Sequence, residues 1–275
     1  MLARQERRTR LRNALREVSA QGISPKLGLW GVAAAAHLLL ENLSGRSPQR
    51  ASDAARRAVE LFELSLKHNP PEAALACARG CAYCCHSFVT ATAPEVFLVA
   101  KTLRAAGDDL TAAIARVRAT NAVTRGLGKV DRFAKRQPCS MLVAGECGAY
   151  AGRPLACRAF ASFSLPKCQE AFATGREDIP TPAINGLLRR ACNQALWSAL
   201  AAVGLPFTLF ELNQALLVAL ENPEAEQRWL KGEDVFAGVT ADDAGVAISD
   251  PNVQLFLDVV AAAAQGREPP RNPWL

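Results

Sequence analysis

The sequence predicts a mainly α fold, with helical flanks around an irregular, loop-rich middle. Three observations lead there. Aromatic residues make up only 6% of the 275 residues while alanine is abundant. That balance suits helices better than sandwiches or barrels, which draw on Val, Ile, Thr and aromatics. Apolar residues recur at helical spacing in both flanks. Between them, eight of the nine cysteines crowd into positions 77–168, where helical periodicity fades. With 50% hydrophobic and 21% charged residues the chain can bury a core and is not mostly disordered.

Three regions follow: a helical one over 1–75 with a basic leader, a cysteine-cluster region over 76–170, and a second helical one over 171–275 packing on the cluster. In the first, helices are expected over about 3–20 and 27–43, with Leu11, Leu15 and Val18 forming an apolar stripe on the former. A third starts near Ser47-Pro48, a cap followed by a proline suited to a first turn. It continues through Ala54, Ala58, Leu61, Phe62 and Leu66 and stops before Asn69-Pro70-Pro71. In the middle region Thr92-Ala93-Pro94-Glu95 has capping-box spacing and opens a helix to about 106. Another follows Asp108 to about 120, and 125–161 reads as turns and loops. The last region returns to helix over 184–203, 206–221, a short stretch after Pro223, and 252–264, with 232–250 as an irregular loop.

The charge is uneven. Residues 1–16 carry six arginines against Glu6 alone, and so hold nearly all of the net charge of +6. This leader is read as a solvated helix face, although its arginines also suit an acidic partner or an organelle transit peptide. No apolar run follows it as a secretory signal requires. The run 27–40 is too short to span a bilayer, and Ala195–Phe210 is broken by Gly204-Leu205-Pro206. A cytoplasmic protein without a membrane span is the expectation.

An odd number of cysteines and no export signal argue against a disulfide framework and for metal or redox chemistry. Cys77, Cys81 and Cys84 lie at C-x3-C-x2-C spacing, which a tight turn at Gly80 can fold around one ion. The adjacent pair Cys84-Cys85 is informative: neighbouring side chains diverge, which suggests one sulfur for each of two centres, or one ligand and one supporting thiol. Cys139, Cys147, Cys157 and Cys168 supply four more. Eight thiols are the count for two tetrahedral zinc sites, or for one iron–sulfur cluster with spare ligands. His86 is read as a hydrogen-bonded neighbour of this set. His37, His68 and Cys192 are read as ordinary helix and core residues. Arg79, Arg136, Arg153 and Arg158 lie beside the cysteines in sequence, where cations favour the ligating thiolate.

These motifs resemble the YkgJ-type cysteine-cluster family, a zinc- or iron-chelating domain with a CxxCxxCC signature. The first half lies at Cys81, Cys84 and Cys85. The second lies at Pro138-Cys139 and in the C-x2-Y-x2-RP-x2-CR-x-F pattern of Cys147, Tyr150, Arg153, Pro154, Cys157, Arg158 and Phe160. Cys77 departs from it by one extra residue before Cys81. The resemblance implies that Zn or Fe, or an Fe–S cluster, is held by these cysteines, and it assigns no reaction. The middle of the chain is thus expected to be a metal-bound cysteine-cluster core.

Two other classes stay in view. The flagellin lysine-N-methylase resembles this family, and Cys77-x3-Cys81-x2-Cys84 fits a radical S-adenosylmethionine signature, so an iron–sulfur enzyme is one alternative. No alternating strand–helix series supports its (β/α) barrel, however. A nucleic-acid-binding zinc module is the other, and the cysteine region lacks the basic, aromatic-interleaved stripe it would need. No phosphate-binding loop occurs, and three histidines signpost no catalytic triad. Whether the chain is an enzyme, and which protein partner it has, the sequence leaves open.

Overall fold

A computed structural model describes residues 4–107, 109–175, 178–241 and 251–268. It is mainly α, as the composition requires. The helices are α1 (Arg4–Gln21), α2 (Gly28–Leu43), α3 (Arg50–His68), α4 (Ala93–Ala105), α5 (Leu110–Thr124), α6 (Lys129–Ala134), α7 (Leu155–Ala159), α8 (Leu165–Thr174), α9 (Ala183–Ala202), α10 (Leu212–Glu221), α11 (Ala225–Trp229) and α12 (Pro251–Ala264).

The body is built around α2, which packs against α1, α3, α9 and α12. Its sequence explains the central position. Ala33, Ala34, Ala35 and Ala36 are all buried, with Val32, Leu39 and Leu43. A helix that is apolar over most of its surface belongs largely inside a protein, and alanine lets neighbouring helices approach closely. A second group, α4, α5 and α10, lies against α3 through α4.

The expected helices over 3–20, 27–43, 184–203 and 252–264 are present within a residue or two. So is the capping box of α4: Glu95 accepts from the Thr92 backbone N–H at 2.9 Å and from its hydroxyl at 2.8 Å. Other expectations are corrected. The third helix begins at Arg50, because Ser47 turns back on itself, its hydroxyl accepting from Gln49 N–H at 3.1 Å. A carboxylate from elsewhere, Glu226, takes the free N–H of Ser52 at 2.7 Å. The expected helix 206–221 starts only at Leu212. Before it, β4 (Leu209–Glu211) pairs antiparallel with β1 (Thr90–Thr92), in the register Thr90 to Glu211, Ala91 to Phe210 and Thr92 to Leu209. Asp109 caps α5 in place of Asp108, which lies outside the described residues. The loop expected over 125–161 contains α6, α7 and a hairpin of β2 (Leu142–Val143) and β3 (Glu146–Cys147). These pieces are too short for a period to register. Part of the expected loop 232–250, residues 242–250, also lies outside the described residues.

Among the described residues no helix is long and apolar enough to cross a membrane. Two two-stranded pairs are the extent of the sheet there, so no alternating strand–helix barrel is formed.

Candidate metal centre

The first thiols owe their position to local turns. Gly80 takes φ +84°, and an added Cβ there would meet nothing within 4 Å, so the glycine serves its backbone conformation and not a tight space. The turn closes with Cys81 N–H donating to Ala78 C=O at 3.1 Å. A single 3₁₀ turn, Tyr83–His86, carries Cys84 and Cys85. Upstream, Ala76 N–H donates to Ser162 C=O at 2.8 Å, and Ser162 N–H points at the Cys77 sulfur at 3.4 Å.

The second half-motif is laid directly on the first. Cys139 N–H donates to Cys85 C=O at 2.7 Å. The β2–β3 hairpin then brings Cys147 opposite Leu142 in the ladder. Exposed Arg79 clamps the hairpin to the first turn with two hydrogen bonds to the Glu146 carboxylate, at 2.6 and 2.8 Å. Cys157 sits on α7, which packs on α3 and α9. The turn Tyr150–Gly152 lies against α4 so closely that a Cβ on Gly152 would stand 2.2 Å from the Thr102 hydroxyl and 3.0 Å from Leu98 C=O. Arg158 braces this turn by donating to Tyr150 C=O at 2.9 Å and Ala151 C=O at 2.5 Å, and pairs with Glu63 on α3. Cys168 is buried on α8. That helix is held to the first half-motif by Phe172, whose ring meets Tyr83 and His86 edge-on at 5.6 and 4.8 Å between centroids.

All nine cysteines are free thiols. Their mutual influence links eight of them in two groups that overlap at Cys84. Cys81 feels the charges of Cys77, Cys84 and Cys168. Cys85 feels those of Cys139, Cys147 and Cys157. Cys84 donates to the Cys85 sulfur and stands between the groups, also reaching Cys147 and Cys157. That hydrogen bond raises the Cys84 pKa, with burial adding to it, and lowers that of Cys85 against the raising effect of burial. Burial pushes Cys139 up to about 11, and raises Cys147, Cys157 and Cys81. Neutral thiols are what an apolar setting favours when no cation is close enough to offset desolvation. Cys192 is a different case: it is 1% exposed in the middle of α9 and is pushed up to about 12 by burial alone, which suits a core residue.

Among the described residues, no three or more His, Cys, Asp or Glu side chains are already drawn into an ion-holding set. The chemistry of the donors nevertheless fits a thiophilic ion: free sulfurs from two stretches of chain, sharing a backbone hydrogen bond, with arginines beside them. His86 turns Nδ1 toward Ala82 C=O at 3.2 Å and Tyr83 C=O at 3.4 Å, the geometry of a hydrogen-bonded neighbour.

Of the four arginines adjacent in sequence, Arg153 acts on Cys84, Cys147 and Cys157, and Arg158 on Cys147. Arg79 pairs with Glu146, and Arg136 lies over the Phe172 ring at 5.4 Å while donating to Ala173 C=O. The cation beside Cys139 is Arg132, which sequence reading passed over. It lies seven residues upstream on a helix too short to signal itself.

Fold and site together define a helical protein whose free thiols lie on the loops and short helices between its longer helices. Residues 76–178 match the family model CxxCxxCC, described as "Putative zinc- or iron-chelating domain". The matched stretch is a little over a third of the chain. No curated protein and no solved structure matches the chain.

Proposed function

We propose that this chain chelates zinc or iron at two neighbouring thiolate centres, one built from Cys77, Cys81, Cys84 and Cys168 and the other from Cys85, Cys139, Cys147 and Cys157. The observation that carries this reading is the backbone hydrogen bond from Cys139 to Cys85 at 2.7 Å, which lays the second half-motif on the first, and the neighbours of Cys81 and Cys85 support the split into two sets. Cys81 has Cys77, Cys84 and Cys168 as neighbours and Cys85 has Cys139, Cys147 and Cys157, while Cys84, bonded to Cys85, reaches both sets and would join the two centres. Four thiolates give a closed tetrahedral shell for Zn²⁺, which is structural and not catalytic chemistry, and the same set accepts iron.

Elemental analysis of anaerobically purified full-length protein tests it. Two metal ions per chain are expected. Cys77→Ser with Cys168→Ser should remove one, and Cys139→Ser with Cys157→Ser the other. Unchanged stoichiometry in both double variants would sink the assignment. A colourless zinc protein and a coloured one with iron and inorganic sulfide are the two outcomes that decide the metal.

A further inference from the structure

We propose that Arg132 is a positioning residue for the second centre, donating hydrogen bonds from Nε and Nη2 to the Cys139 sulfur once that sulfur is a metal-bound thiolate. The inference rests on the chelating reading above and goes beyond it, because Arg132 belongs to neither half-motif.

Arg132 is 1% exposed, on α6 next to buried Phe133. Its Nη1 is used twice, donating to His86 C=O at 3.1 Å and to Gln137 C=O. These two carbonyls flank the half-motifs, one following Cys85 and the other preceding Cys139, so the guanidinium is fixed where the two stretches join. Nε and Nη2 are buried and have no partner in the protein. A guanidinium enclosed with unfilled donors is costly, and a nearby anion relieves the cost. Two groups that can carry negative charge are near enough to act on it, Glu211 and, once deprotonated by a metal, Cys139. Glu211 is already engaged: its carboxylate accepts from Asn213 Nδ2 at 3.0 Å and from Gln214 N–H at 2.8 Å. The Cys139 sulfur, two residues after Gln137 whose C=O already holds Nη1, accepts from Met141 N–H and has a lone pair left for the guanidinium. Four thiolates around a divalent ion carry a net −2, and a buried cation offsets part of it. Hydrogen bonds to a ligating atom also fix its orientation.

The test uses the full chain with Arg132→Met and Arg132→Lys, loaded with Zn²⁺ or Co²⁺. Three quantities are measured: affinity by chelator competition, the sulfur-to-cobalt charge-transfer band, and the melting temperature of metal-free protein. Arg132→Met should weaken binding at one centre by about 10- to 100-fold, the range for losing a group that supports a ligand. Its charge-transfer band should move to lower energy, because a sulfur that accepts fewer hydrogen bonds is a better electron donor. Arg132→Lys keeps the charge without the planar fork and should fall between. Should the methionine variant fail to fold, the lysine variant carries the test through its affinity and band position. Affinity within twofold of the parent and an unmoved band in the folded variants overturn the proposal. A metal-free melting loss large enough to account for the weakening also overturns it, as a purely structural role would. If the parent chain takes up neither ion, the two-centre reading falls first and this one with it.

Discussion

Two adjacent stretches of the chain, 71–90 and 91–100, are held in place by different forces. From Pro71 to Thr90 not one residue is buried; from Ala91 to Ala100 every residue is. The second stretch ends β1 and begins α4, with Val96, Phe97, Leu98 and Val99 in the common core. Hydrophobic burial and a capping box fix it, and it needs nothing else. The first stretch has short turns, a few backbone hydrogen bonds and the thiols. Chain that cannot bury apolar surface must offset its conformational entropy in another way, and bonds from sulfur to metal are a strong one. The contrast predicts that metal bound as proposed would matter at the loops, and not in the helical body.

The largest effect that would test this contrast is removal of metal. Stripping by a strong chelator should abolish amide hydrogen-exchange protection over 76–87 and 139–160, while amides of α2, α3 and α9 stay protected. Uniform loss across the molecule would mean that the loops and the body form one cooperative unit. No change anywhere would mean that the loops hold their own shape without an ion.

The body was legible in the sequence for the same reason that it is stable. Leu11, Ala14 and Val18 or Leu61, Phe62 and Ser65 are buried at helical spacing, and each pattern can be read within its own element. The cysteine loops were legible as chemistry and not as structure. The thiols and their spacing stood out, but the way they meet depends on contacts across the chain: Cys139 with Cys85, Arg79 with Glu146, Phe172 with Tyr83. No local rule announces these. The same holds for β4, whose strand character comes from pairing with β1 across more than a hundred residues. An apolar run before α10 looks helical until its partner is known. Arg132 was missed because burial of an arginine is a property of the assembled fold.

A cavity in the body should leave the loops alone, which breaks the comparison from the other side. Phe62 is 1% exposed on α3. Phe62→Ala should cost about 3–5 kcal/mol of folding stability, through lost transfer energy and the void left behind. Urea unfolding would measure the loss. Metal stoichiometry in the folded fraction should not change, and loss of metal in protein that is still folded would show the two regions to be coupled.

A smaller effect lies at their border. Glu95 is 4% exposed and joins the two regions: besides capping α4, its carboxylate accepts from the N–H of Leu155, on the helix that carries Cys157, at 3.0 Å. Burial raises its pKa from the ordinary carboxylate value, against the lowering pull of its hydrogen bonds to Thr92 and Leu155. The unfolded chain therefore gives up this proton at a lower pH than the folded one does. The contribution of Glu95 to stability is largest at acid pH and declines as pH rises from its ordinary value toward the raised one. Glu95→Gln cannot ionise, so the stability advantage of the parent over the variant should shrink across that interval. Denaturant unfolding of both proteins at pH 4 and pH 7 checks the sign. An advantage that grows with pH would mean that the three donors outweigh desolvation.

The smallest effect is expected at the Arg79–Glu146 clamp. Both side chains are solvent-exposed, so neither their attraction nor their hydrogen bonds should add measurably to global stability. What the pair can do is hold the β2–β3 hairpin, with Cys147, over the turn that carries Cys81. Arg79→Ala should therefore leave the melting temperature where it is, yet speed the release of metal to a competing chelator at low salt. The difference from the parent should fade toward 1 M salt, where screening reduces the reach of a charge to about 3 Å. Equal release rates at low salt would show that the backbone bond from Cys139 to Cys85 already fixes the two half-motifs. Slower release in the variant would show that the clamp strains the loops it joins.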